Sequence, residues 1–131
     1  LDEMSYTVST HGFLASISKN IPKLAVASIQ APFQSLIQSN GMPSASPTDF
    51  HWALHPGGKA VIQGAQDALN LPDDALAASK EIYRTKGNTS SVAVLAVLEK
   101  VRELKLQSPN VVACSFGPGL TTEMTLLRRM V

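Results

Sequence analysis

Polar and apolar positions alternate from the fourth residue onward. Met4, Tyr6 and Val8 are interleaved with Ser5, Thr7 and Ser9, the period-two pattern of a half-buried strand. Gly12 punctuates it, and residues 13–18 read as a second short strand. Asn20 is placed to cap a helix over residues 21–38, with Pro22 tolerated in its first turn. The apolar face of that helix runs through Ala25, Ile29, Phe33, Leu36 and Ile37, a helical spacing. Pro32 lacks an N–H and predicts a kink or break midway.

Residues 40–48 are rich in Gly, Pro and Ser and read as a surface loop. Residues 50–54 form a short apolar run, a candidate buried strand, and His55-Pro56-Gly57-Gly58 follows as a turn. Helical spacing returns over residues 59–69 through Val61, Ile62, Ala65, Ala68 and Leu69. Pro72-Asp73-Asp74 is expected to start a further helix that ends near Lys86-Gly87. Asn88-Thr89-Ser90-Ser91 then opens the most apolar helix, carrying Val94, Leu95, Val97, Leu98, Val101 and Leu104. Apolar residues nearly all round its first half predict burial between layers. Residues 110–116 read as a strand, Gly117-Pro118-Gly119 as a turn, and residues 120–128 as a last strand. Strands alternating with helices predict a layered α/β fold with a mixed sheet.

Composition narrows this further. The 131 residues are enough for one domain or half of a larger one. At 44% hydrophobic and 16% charged, the chain has a core to bury. A net charge of +1 gives no argument for nucleic acid or an anionic membrane surface. No apolar run approaches the roughly 20 residues of a membrane span. The single cysteine, Cys114, excludes an internal disulfide and makes a reduced, cytoplasmic setting the default. The opening Leu1-Asp2-Glu3 passes straight into strand-like alternation, which reads as a chain cut inside a fold.

Three loop segments are candidates for chemistry, because α/β proteins place their sites at strand ends and helix starts. In the first, Pro56 holds His55 extended, and Gly57 and Gly58 let the backbone approach a ligand and enter the next helix. The imidazole is either aimed in this way or is polar filler in a turn. His51 and His55 stand four apart, as a metal pair on a helix would, yet Pro-Gly-Gly argues against a helix there and no third ligand is evident. In the second, Asn88 is a preferred helix N-cap behind Gly87. Capping uses the side-chain oxygen and leaves the amide NH2 to donate into a cavity. The third, residues 115–120, is either a hairpin turn or a rigid loop walling a pocket. Cys114 precedes it on a strand, where a free cysteine is usually a small buried hydrophobe.

In this order the three segments resemble type III polyketide synthases, the family of chalcone synthase. That family carries His-Pro-Gly-Gly, then Gly-Asn-x-Ser-Ser, then Gly-Phe-Gly-Pro-Gly. Here they read His55 to Gly58, Gly87 to Ser91, and Ser115 to Gly119, with Ser115 replacing the first glycine of the last loop. Trp52-Ala53-Leu54 before the first motif, and Glu123-Met124 after the last, look closest to the fungal branch.

The resemblance implies a thiolase-like layered fold, αβαβα in the intact enzyme, of which residues 1–131 are the C-terminal half. It also implies a Cys-His-Asn triad, with His55 the histidine, Asn88 the asparagine and the cysteine in an N-terminal half absent from this chain. The implied reaction is decarboxylative condensation of malonyl-CoA onto an acyl-CoA starter by a homodimer. CoA thioesters are then substrates, and no metal or other cofactor is implied. Gly57, Gly58, Lys59, Ala60 and Ser90 are implied near substrate, with Lys59 at a CoA phosphate or the tunnel mouth. Ser115, Phe116, Gly117, Pro118 and Gly119 are implied as a pocket wall. Counting back from Pro22 places Ala15, or Phe13 under a two-residue shift, where plant members carry a bulky gate; Ala15 implies alkyl starters and alkyl pyrone or resorcinol products. The alternatives are a ketoacyl synthase of fatty-acid synthesis, for which Gly-Asn-Thr-Ser is suited, and a non-catalytic fragment.

Overall fold

A computed structural model describes residues 3–104, 108–117 and 120–130. Two strands, β1 (Met4–Ser9) and β2 (Gly12–Ile17), form an antiparallel hairpin that is a sheet of its own. Helices α1 (Ile21–Ala27) and α2 (Gln30–Ser39) follow, then β3 (His51–Leu54), α3 (Lys59–Ala68), α4 (Ala77–Lys86) and α5 (Ala93–Glu103). Strands β4 (Asn110–Phe116) and β5 (Thr122–Arg128) complete a three-stranded sheet in the order β3-β4-β5. The β3–β4 pair is parallel and β4–β5 antiparallel, so the sheet is mixed, as the sequence predicted.

Side-chain alternation sends neighbouring residues of this sheet to opposite faces. Trp52, Leu54, Val112 and Cys114 meet Ile29, Phe33 and Ile37 of the α2 side and Ile62 and Ala65 of α3. Ala53 and Val111 meet Ala78 and Ile82 of α4 and Val97 and Val101 of α5. The sheet is thus covered on both faces, which is why β3 reads as a continuous apolar run. Phe33 packs edge-on to Phe50 at 5.7 Å between ring centres and tilted to Trp52 at 5.5 Å. The Trp52 indole N–H donates to the Pro47 carbonyl at 2.9 Å, so its burial leaves no polar atom unpaired. Helices α1 and α3 touch closely at Gly64, where a Cβ would stand 2.5 Å from Val26 Cγ2.

Four expectations change. The helix over residues 21–38 is two helices, but the break falls at Ser28 and Ile29, not at Pro32. Pro32 lies in the first turn of α2, where its missing N–H has no partner to lose. The helix expected from Pro72 starts at Ala77. Asn88 does not cap α5 directly: a 3-10 turn, Ser90–Val92, intervenes, and the N-cap residue is Val92. Finally, α5 buries Ala93, Val97 and Val101 but leaves Leu95 62% exposed, so in this chain its cover is one-sided.

The hairpin departs further. Its strands form where predicted, yet they are not half-buried: Val8 is 73% and Phe13 79% exposed. The register pairs Met4 with Ile17, Tyr6 with Ala15 and Val8 with Phe13. One face is therefore wholly apolar, and no layer of the described chain covers it.

Candidate functional site

The site begins where β3 ends. The Leu54 carbonyl accepts from Ser79 Oγ at 2.8 Å, and the His55 N–H donates to the Cys114 carbonyl at 2.8 Å. Pro56 is buried, and the Gly57 N–H closes back on the His55 carbonyl at 2.9 Å. The backbone of His55 is thus held on both sides as it leaves the sheet. Its ring lies over Gly57, where a Cβ would come within 3.2 Å of Cδ2 and 3.5 Å of Nε2. The close approach that Gly57 allows is to His55 itself. Gly58 is extended and precedes α3, whose first residues Lys59 and Ala60 are exposed.

Asn88 arrives from the α4–α5 connection. Gly87, at φ 69°, ends α4 in a conformation that favours glycine. Asn88 Oδ1 accepts from the Ser90 N–H at 2.9 Å, and Nδ2 donates to the Gly57 carbonyl at 3.1 Å. Both ends of the side chain are engaged. One amide proton ties the two loops together, and the other is left to donate outward. Asn88 and Ser90 are exposed.

The third segment supplies Phe116, whose ring stands edge-on to His55 at 6.4 Å and 76°. Ser115, Phe116 and Gly117 are half-buried, and the turn closes through Gly117 N–H to the Thr121 carbonyl at 2.7 Å. Pro118 and Gly119 lie outside the described residues. His55, Gly57, Asn88 and Phe116, drawn from three distant segments, therefore converge. Ala15 and Phe13 remain on the exposed hairpin, with no hydrogen bond or ring contact to this cluster.

Burial without a carboxylate partner lowers the His55 pKa below its usual value, which favours the neutral imidazole. Cys114 is buried, and its thiol is pushed up to about 12 by desolvation. Desolvation disfavours its thiolate, in agreement with its reading as a small hydrophobe. His51 Nε2 accepts from the Ser108 N–H at 3.3 Å. Among the described residues no three His, Cys, Asp or Glu side chains gather as a metal site. A groove of about 530 Å³ lies elsewhere, between Leu98, Val101 and Leu127, and none of the predicted site residues lines it.

Sequence reasoning missed Ser79. It is a polar residue inside a helix, and no motif or periodicity marks it.

The family model for the C-terminal domain of chalcone and stilbene synthases matches residues 2–131, and the chain belongs to this family. It is 41% identical to the type III polyketide synthase pspB of Penicillium soppii, over 98% of this chain and 36% of that protein. It is 40% identical to the acylalkylpyrone synthase csyB of Aspergillus oryzae, over 98% of this chain and 34% of that protein. The structure of CsyB complexed with CoA-SH superposes with a TM-score of 0.88 at 36% identity, covering 98% of this chain and 37% of that one. The fold is that of the C-terminal half of the thiolase-like type III polyketide synthases, and fungal members cover nearly the whole chain. The chain spans about a third of the length of the curated relatives it matches. No helix among the described residues is long and apolar enough to cross a membrane.

Proposed function

We propose that the protein is a type III polyketide synthase in which His55 and Asn88 stabilise the charge that develops when malonyl-CoA loses CO2. The observation that carries this reading is the convergence of His55, Asn88 and Phe116 through Gly57. Breaking the bond from the malonyl α-carbon to its carboxylate releases CO2 and leaves an electron pair on the acetyl thioester as an enolate. The neutral His55 ring and the free Asn88 amide proton are the donors for that enolate oxygen, an oxyanion hole. The enolate carbon then attacks an acyl thioester on a cysteine supplied by the N-terminal half. A carbon–carbon bond forms, the thiolate leaves, and the chain is two carbons longer.

The remaining assignments follow the same resemblance. Acyl-CoA and malonyl-CoA are substrates and no resident cofactor takes part. Gly57, Gly58, Ala60 and Ser90 border the CoA thioester, and Ser115 to Gly119 wall the cavity. Lys59 meets a CoA phosphate at the start of α3, where free N–H groups also favour an anion. The enzyme works as a homodimer in the cytoplasm and makes alkyl pyrones or resorcinols from alkyl starters. The relative named as an acylalkylpyrone synthase supports that product class.

The test is malonyl-CoA decarboxylation by the full-length protein. His55→Ala should lower it by on the order of 10²-fold, the usual cost of an oxyanion donor. Unchanged turnover would remove His55 from the reaction.

A further inference from the structure

We propose that Ser79, on the buried face of α4, is a positioning residue for His55. The inference rests on the function proposed above and extends it to a residue outside the three motifs. Ser79 is fully buried, and so is Leu54, whose carbonyl it binds at 2.8 Å. A serine inside a helix ordinarily bonds back to its own preceding turn. Ser79 instead reaches across 25 residues to the end of β3.

The bond falls on the peptide unit that sets the direction of His55. In the parallel ladder, the His55 N–H points toward β4 and meets the Cys114 carbonyl. The Leu54 carbonyl, on the opposite edge of that same peptide plane, points away from β4. The described sheet has no strand on that side of β3, and Ser79 takes the place of one. The Leu54–His55 peptide is therefore gripped at both edges, from β4 and from α4. The next carbonyl is held by the Gly57 N–H, and the Gly57 carbonyl by Asn88. Three hydrogen bonds in series run from the core helix α4 to the second proposed donor, and the His55–Cys114 bond braces the path from β4. A site whose two donors must meet one oxygen needs such support behind it, because small displacements of a donor forfeit charge stabilisation.

The test is made in the full-length protein with malonyl-CoA decarboxylation and with NMR of selectively labelled histidine, the His55 resonance being assigned by its loss in His55→Ala. Ser79→Ala should lower kcat about tenfold or more, the common cost of removing an outer support. KM should stay within about twofold, since substrate contacts are untouched. The His55 ring resonance should shift or broaden. Ser79→Thr, which keeps the hydroxyl, should recover kcat to within about threefold of wild type. Should Ser79→Ala fail to fold, Ser79→Cys, a weak donor, should fold and show the same loss in kcat and the same ring perturbation. Wild-type kcat with an unperturbed ring in either variant overturns the inference. So does a threonine variant as impaired as the alanine one, or a lowered melting temperature with unchanged kinetics. If His55→Ala itself keeps full activity, the proposed function fails, while the ring resonance still decides whether Ser79 orients His55.

Discussion

The hairpin and the three-stranded sheet share a sequence pattern but not a fate. Both are runs of alternating or continuous apolar residues bounded by turns, and both form strands. In the sheet, Trp52, Ala53, Leu54 and Val112 are buried beneath helices on both sides. In the hairpin, Tyr6, Val8, Phe13 and Ile17 line a continuous apolar face open to solvent. Periodicity reports which face of a strand wants cover. It does not report whether the cover lies in the same 131 residues.

The largest difference should appear in stability. Trp52 contacts Phe33 and anchors its indole on Pro47, so Trp52→Ala should cost about 3–5 kcal/mol, the range for a large core aromatic. In the 131 residues expressed alone, Phe13→Ala should cost less than about 0.5 kcal/mol, as an exposed substitution does. The same isolated chain should self-associate through its uncovered apolar surface, and Phe13→Lys should reduce that association. Chemical denaturation and analytical ultracentrifugation read both effects. A soluble monomer with equal costs at Trp52 and Phe13 would dissolve the contrast.

Within the covered region, Asn88 allows a sharper cut. Its oxygen holds the Ser90 N–H and its nitrogen holds the Gly57 carbonyl. Asn88→Asp keeps the acceptor and removes the donors. Decarboxylation should fall by on the order of 10²-fold in Asn88→Asp and in Asn88→Ala alike. The melting temperature should fall less in the aspartate variant, which retains the turn. Equal melting temperatures with wild-type turnover would reduce Asn88 to a local structural role.

Much of this was legible beforehand. The order of strands and helices, the mixed sheet and the convergence of three motifs follow from apolar spacing, from Gly and Pro placement and from a family resemblance. What was not legible depends on contacts distant in sequence. The break at Ser28 is one case: Pro32 has a stronger local signal for breaking a helix, yet a first-turn proline is compatible with one. Ser28 Oγ shares a short hydrogen bond with the Thr122 hydroxyl of β5, a partner that local reading cannot supply. Ser79 is another, since its bond to the Leu54 carbonyl forms only where the end of β3 lies beside α4.

The pH response should be smaller and of known sign. Burial lowers the pKa of both His55 and His51 below the ordinary imidazole value. A depressed folded-state pKa means that the unfolded chain binds protons more readily, so stability is full above about pH 6.5 and declines below it. His55→Gln should flatten part of that decline in urea titrations between pH 7 and 5. An unaltered slope would mean that His55 is not desolvated in the full-length protein.

The smallest effect tests whether the hairpin contributes to specificity at all. Ala15 stands opposite Tyr6 on its apolar face, so the place proposed for a gate holds a methyl group facing an aromatic residue. On the proposed reading of Ala15 as the gate position, the absence of a ring there would let a long alkyl starter pass, and each methylene buried from water would add roughly 0.8 kcal/mol of binding. The wild-type protein should therefore turn over medium and long acyl-CoA starters faster than a coumaroyl-like one. Ala15→Phe should shorten the preferred chain. A phenyl group at Ala15 would also pair with Tyr6 across the strands, adding about 0.2–1 kcal/mol of stability, so the turnover profile must be read as ratios between starters and not as absolute rates. If the ratios are the same in wild type and Ala15→Phe, the gate lies elsewhere. Phe13, two residues away on the same face of the hairpin, is then the residue to exchange, since a two-residue shift preserves the face.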